Sequence, residues 1–329
     1  MKIRIKIQYL VIALILLILV VGIIWSWPRN VNEVAKESCD KEYEWVNPNI
    51  VCRDFTISKV EYAVFKNKLI DKIEVMKKEG KVEEVAVYFR DLEAGPTFGI
   101  NDRMNFIPAS LLKLPVMLTL FKLEEEESGL LEKKLTYSGQ SEGTLVQYFS
   151  PEKSLELGKS YTIDDLIFRM IAYSDNRSYF TLTDYLKKVS PDINLISETY
   201  QELGMVIDNA DVSADDLSVK TYASIFRILY NISYLSDELS EKALSYLGHS
   251  DFEDGLVRNL PENIPIAHKF GERSISDDNK QLHDCGIIYY PGNPYSLCIM
   301  TRGKNLEYLN DVIGAISQEV YQEVDSRRQ

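Results

Sequence analysis

Strand patterns stand near the two ends of this 329-residue chain, and almost everything between them reads as helix or loop. Val85-Ala86-Val87-Tyr88-Phe89 and Thr97-Phe98-Gly99-Ile100 are β-rich runs joined by a Glu93-Ala94-Gly95-Pro96 turn, and Ile264 to Phe270, Gly286 to Tyr290 and Tyr295 to Thr301 read as three more strands. Helical periodicity flanks the set. From Ser58 to about Lys78, Val60, Val64, Leu69, Ile70, Ile73 and Met76 recur on one face before Gly80, and a second apolar-periodic stretch runs from about Leu306 to Val324. Strands so far apart in the chain share a core most simply as one antiparallel sheet of five strands, covered by the two terminal helices, with the intervening residues inserted as an all-helical lobe. The expected fold class is α/β in the α+β sense, and no internal repeat interrupts it.

The amino terminus carries a different signal. Lys2, Arg4 and Lys6 precede a run from Tyr9 to Trp27 that is apolar except for Ser26, long enough as a helix to cross a bilayer core of about 30 Å. No small-residue cleavage site follows it, so the run predicts an uncleaved signal anchor over 8–27. Basic residues on the short side predict a cytoplasmic segment 1–7, single-pass placement in the cell membrane, an extracytoplasmic stalk over 28–55 and an extracytoplasmic domain over 56–325. The formal net charge of -13 repels phosphate backbones, which argues against a nucleic-acid partner. Cys39 and Cys52 fall in the stalk, where little core exists to bury thiols, and are expected to bridge. Cys285 and Cys298 flank Pro291-Gly292-Asn293-Pro294, a turn signal, and are either a cross-strand disulfide or two buried thiols. His249, His268 and His283 lack metal-ligand spacing, and no metal or cofactor is implied.

Three short elements carry chemistry. Ser110-Leu111-Leu112-Lys113 follows Ile107-Pro108-Ala109, a good helix entry, so Lys113 lies one turn beyond Ser110 on the same face. A serine hydroxyl becomes a nucleophile only when a base takes its proton, and a lysine serves as that base when burial or a neighbouring cation lowers its pKa. Leu111, Leu112, Leu114, Val116 and Met117 supply apolar surroundings. Ser174-Asp175-Asn176 falls in a turn after a helix that starts at Thr162-Ile163-Asp164-Asp165 and runs out at Tyr173. Lys269-Phe270-Gly271 ends a strand pattern. Singly, the first reads as a capping serine beside a solvated lysine and the second as an Asx turn. Together and in this order they argue for a site.

The ordered trio resembles the S-x-x-K, S-D-N and K-T-G set of class A β-lactamases and penicillin-binding proteins, and the resemblance covers about residues 56 to 325. It implies a β-lactamase-like fold with Ser110 as the acylated nucleophile and Lys113 as its base. Ser174 would relay a proton to the leaving nitrogen, and Asn176 would hydrogen-bond both Lys113 and the substrate's amide side chain. Lys269 would place Ser174 and a substrate carboxylate, Gly271 would leave room for substrate along the strand, and the backbone N–H groups of Ser110 and Glu272 would form an oxyanion hole. Asp175 is expected to hold its turn and His268 to be an ordinary strand residue.

Two departures qualify the resemblance. Phe270 stands where the family has Thr or Ser, which removes a hydroxyl for the substrate carboxylate. The family's E-x-x-L-N glutamate, which holds the deacylating water in class A β-lactamases, has no counterpart in Gly204 to Leu217; only Asp208, Asp211, Asp215 and Asp216 offer carboxylates there. The expected function is therefore a membrane-anchored serine hydrolase that opens β-lactam amides with slow deacylation. A D,D-peptidase or cell-wall acyltransferase acting on a D-Ala-D-Ala-like peptide, and a non-catalytic binder, are the alternatives.

Overall fold

In a computed structural model, residues 44–47, 62–93, 95–139, 147–151, 153–205 and 217–327 are described. The elements are α1 (Ala63–Lys78), β1 (Glu84–Asp91), β2 (Thr97–Ile100), β3 (Asn105–Phe106), α2 (Lys113–Glu126), β4 (Lys134–Thr136), β5 (Ser160–Thr162), α3 (Ile163–Ala172), α4 (Asn176–Val189), α5 (Leu195–Glu202), β6 (Leu217–Ser218), α6 (Val219–Tyr230), α7 (Asp237–Gly248), β7 (Ile266–Ser276), β8 (Asn279–Ile288), β9 (Tyr295–Gly303) and α8 (Leu306–Ser326). The five-stranded sheet runs β2-β1-β9-β8-β7, antiparallel throughout, with β7 at one edge. An early strand and the last strand thus meet within the sheet, where β1 pairs with β9. That is the expected α+β arrangement, and α2 to α7 form the inserted helices.

Packing explains the layout. On one sheet face the terminal helices bury Phe65, Leu69, Ile73, Ile313, Ile316 and Val320 against Val85, Val87, Phe89, Leu297 and Ile299. The stripe of α1 differs from the expected one at its start: Val64 is 85% exposed and Phe65 takes the buried position, while Val60 lies outside the described residues. In the helical lobe, α2 is buried on all sides from Lys113 to Phe121. A helix apolar all round belongs in the interior, and this one carries Lys113 inside with it.

The membrane expectation is corrected. Among the described residues no helix is long and apolar enough to cross a membrane. The longest, α8 with 21 residues, carries Glu307, Asp311, Glu319, Glu323 and Asp325 and is amphipathic. A single-pass anchor, placement in the cell membrane with a cytoplasmic amino terminus, and the membrane as a partner therefore form no part of the functional account. The run from Tyr9 to Trp27 that suggested them lies outside the described residues, as do Cys39 and Cys52. Within the stretch expected to be a stalk, Glu44 to Asn47 pack on the domain. The Glu241 carboxylate accepts the backbone N–H groups of Glu44, Trp45 and Val46, and Trp45 sits edge-on to Tyr289 at 5.1 Å.

Cys285 and Cys298 face each other across β8 and β9 and form a disulfide with a sequence separation of 13. Cross-linking a loop of this size stabilises by up to about 3 kcal/mol through the unfolded chain. We expect Cys285→Ala/Cys298→Ala to lower unfolding stability in urea by about 2 to 3 kcal/mol, with the fold retained because the ladder already closes that hairpin.

Candidate active site

Ser110 sits in a 3-10 turn, Ala109–Leu112, that runs directly into α2. The turn is held tightly. Ala109 has φ of 50°, a left-handed conformation that costs a non-glycine residue energy and persists only where neighbours enforce it. Two β8 side chains grip Ile107: its N–H donates to Gln281 Oε1 at 3.0 Å, and its carbonyl accepts from His283 Nε2 at 3.0 Å. Thr301 N–H donates to His283 Nδ1 at 3.3 Å, which leaves the ring proton on Nε2. On the other side of Ser110, Tyr222 Oη donates to the Leu111 carbonyl at 2.9 Å. Gly271 brings β7 against this turn; a Cβ there would lie 3.0 Å from both Leu111 Cγ and the Pro108 carbonyl oxygen.

Ser174 closes the site from the lobe. It lies between α3 and α4, fully buried and with φ of 50°. Thr162 caps α3 by accepting from Asp165 N–H. Asp175 caps α4: its carboxylate accepts from Arg177 N–H, from Ser178 N–H at 2.9 Å and from Ser154 Oγ at 2.6 Å. The aspartate is thus spent on the turn, as its position suggested.

Two buried lysines converge on Ser174. Lys113 Nζ donates to the Ser174 carbonyl, donates to Asn176 Oδ1 at 2.8 Å and lies 3.1 Å from Ser174 Oγ. Lys269 Nζ donates to Ser174 Oγ at 2.9 Å and to the Phe270 carbonyl at 3.1 Å. A neutral amine has two N–H groups and one lone pair. With the Ser174 carbonyl and Asn176 as acceptors, Lys113 keeps its lone pair for a hydroxyl. Burial, and then the Lys269 charge, push the Lys113 ammonium well below the usual lysine range. Burial likewise lowers Lys269, to about 7, against the opposing charges of Asp284, Asp251 and Glu272.

These shifts fix the sign of the pH dependence. Chemistry that needs neutral Lys113 gains rate as pH rises through that group's lowered pKa, and chemistry that needs cationic Lys269 loses rate as pH rises past about 7. The Lys269 charge depresses Lys113, so the two limbs are coupled. Acylation rates of Ser110 measured from about pH 5 to about pH 9 should trace a bell whose alkaline limb lies near neutrality.

Of the expected site residues, the structure brings Lys113, Ser174, Asn176 and Lys269 into direct contact, and sets Ser110 in the turn against which Gly271 packs. Asp208, Asp211, Asp215 and Asp216 lie outside the described residues. Sequence reasoning missed several neighbours. His268 is a strand residue of β7, as expected, and its Nδ1 meets buried Asp284 at 2.9 Å, while Asp284 also accepts Leu256 N–H. Glu272 Oε1 accepts the Tyr148 N–H at 2.9 Å, and Gln147 Nε2 reaches the Ser174 carbonyl at 3.1 Å. Only the alternation on β7, which puts 268, 270 and 272 on one face, hinted at the Glu272 side chain. Among the described residues no cluster of His, Cys, Asp and Glu could hold a metal ion.

The fold is that of the β-lactamase-like serine-hydrolase superfamily. The chain belongs to the β-lactamase enzyme family, whose model matches residues 67–324. Solved structures agree on the fold. A mutant of PBP-A in an acyl-enzyme complex with penicillin G superposes with a TM-score of 0.65 at 22% identity, covering 79% of this chain and 97% of that one. A β-lactamase from Chitinophaga pinensis gives 0.66 at 18% identity over 78% and 100%, and the TLA-3 extended-spectrum β-lactamase gives 0.67 at 19% over 78% and 98%. No curated protein matches the sequence.

Proposed function

We propose that the protein is an acyl-transferring serine hydrolase of the β-lactamase type, in which Ser110 is acylated by an activated amide such as a β-lactam. The observation that carries this reading is the buried Lys113–Ser174–Lys269 chain one turn from Ser110, since a scaffold has no physical reason to desolvate two ammonium groups around one hydroxyl. Neutral Lys113 takes the Ser110 proton as Oγ attacks the carbonyl carbon. The N–H groups of Ser110 and Glu272 receive the developing oxyanion; β7 is an edge strand, so alternate backbone groups have no ladder partner and are free for this role. When the tetrahedral intermediate collapses, the Ser174 hydroxyl gives its proton to the leaving nitrogen and recovers one from the Lys113 ammonium. Lys269 stabilises negative charge on Ser174 during the relay. Asn176, with Oδ1 committed to Lys113, presents its Nδ2 to the substrate.

Intact-mass spectrometry of the full chain with an excess of a penicillin methyl ester tests the proposal. Wild type should gain one acyl adduct and Ser110→Ala none; equal labelling of the two would remove the mechanism. The lifetime of the wild-type adduct reports deacylation directly.

A further inference from the structure

Gln281 and His283 have no place in the acylation chemistry, yet both are fully buried on β8, an interior strand of the sheet. Polar side chains in such a position are held by partners, and here both meet the same residue. Ile107, itself buried, donates its N–H to Gln281 Oε1 at 3.0 Å and accepts from His283 Nε2 at 3.0 Å. Two side chains, two residues apart on one strand face, thus take both backbone groups of a residue three before the nucleophile. The grip is braced from behind. Thr301 N–H donates to His283 Nδ1, the Phe106 ring stands edge-on to the imidazole at 5.4 Å, and the Arg302 guanidinium lies 5.4 Å from the centre of the Phe106 ring. The β7 partner of His283 is Gly271, where a Cβ would press on Pro108 and Leu111.

Two residues after Ile107 the chain makes a left-handed step. Ala109 has φ of 50°, while Pro108 before it and Leu112 after it are right-handed. An L-alanine favours the right-handed region by a margin worth about tenfold in population, so something must hold it. The far end of the turn is pinned by Leu111 N–H, which donates to the Pro108 carbonyl at 3.1 Å, and by Tyr222 Oη, which donates to the Leu111 carbonyl at 2.9 Å. The near end is pinned at Ile107 by β8. With both ends fixed, Ala109 cannot relax without breaking a bond at one of them. Its torsions also direct the 109–110 peptide, and the N–H of that peptide belongs to Ser110.

Resting on the acyl-serine reading above, we propose that Gln281 and His283 are positioning residues for the reaction: by holding Ile107 they keep Ala109 left-handed and so aim the Ser110 N–H at the developing oxyanion. Both act through Ile107 and touch no reacting atom. Acylation of the full chain by penicillin methyl ester, followed by intact mass over a range of ester concentrations, separates the maximal acylation rate from the half-saturating concentration. Gln281→Leu and His283→Phe are close in volume and lose the hydrogen bond to Ile107. Each, compared at a temperature where its thermal melt shows it folded, should lower the maximal rate about tenfold and leave the half-saturating concentration unchanged. His283→Gln, whose amide returns an N–H donor toward the Ile107 carbonyl, should keep most of the wild-type rate. Ala109→Gly added to either clamp variant removes the cost of the left-handed step and should restore the rate by about tenfold. Wild-type maximal rates in folded Gln281→Leu and His283→Phe overturn the proposal. So does a loss that neither Ala109→Gly nor His283→Gln relieves, since general damage to the sheet would not be cured at Ala109. The two clamp variants break separate bonds, so either one alone decides if the other fails to fold. A wild type that takes no acyl group at all sinks the acyl-serine reading instead, and this proposal with it.

Discussion

Lys113→Met should slow acylation of Ser110 by about a thousandfold or more, with the domain still folded. The lysine opens a helix buried on every side, and it is itself only 3% exposed. Its ammonium is costly there, as its lowered pKa records. Methionine has nearly the same reach and belongs in such surroundings, so the substitution removes the base without opening a cavity. The Ser174 carbonyl keeps Gln147 and Ser174 Oγ keeps Lys269, while Asn176 Oδ1, on a half-buried residue, loses its Lys113 donor. A base role thus predicts a collapse of the acylation rate with a nearly unchanged circular dichroism spectrum. If Lys113→Met labels as fast as wild type, another group takes the Ser110 proton and the relay through Ser174 has no source.

Gly286→Val should do the opposite kind of damage and destabilise the fold by more than about 4 kcal/mol. Gly286 pairs with His268 across β7 and β8. A Cβ there would lie 2.5 Å from the Ala267 carbonyl oxygen, 2.6 Å from His268 Cβ and 2.9 Å from its Cα. Backbone cannot retreat from such contacts without breaking the ladder, and a branched residue adds two methyl groups to the collision. The missing side chain lets His268 lie over the strand and meet Asp284. Since β7 also carries Lys269, loss of this pairing removes the site along with the sheet edge. Urea denaturation and Ser110 labelling should fail together in this variant; native-like stability would mean that the strands tolerate a spacing the structure denies them.

These two residues mark what the sequence could and could not disclose. Lys113 was legible because S-x-x-K is local: three residues along a helix bring the pair to one face whatever the rest of the chain does. The strands with alternating or continuous apolar residues were legible for the same reason; the turn framed Cys285 and Cys298 as well but left a disulfide and two buried thiols open, and the structure decides for the disulfide. The strand β8 was not: it begins at Asn279, seven residues before the expected Gly286, because Gln281, His283 and Asp284 are polar yet buried. Each is held by partners from distant elements, Ile107 for the first two and Leu256 with His268 for the third, and such partners leave no mark on hydrophobic periodicity. Glu272 was expected to act through its backbone, and only the meeting of β7 with residues 147–149 shows that its carboxylate accepts the Tyr148 and Phe149 N–H groups. The membrane anchor failed for a different reason: a long apolar run fixes what a segment could do, and no described helix does it.

Mapping the modified residue tests the central claim most directly. The full chain is treated with penicillin methyl ester, quenched at the peak of labelling, digested and sequenced by tandem mass spectrometry. The account predicts a single acyl group on the hydroxyl of Ser110. An acyl group on any other side chain, or a protein that consumes the ester with Ser110 never modified, would contradict it.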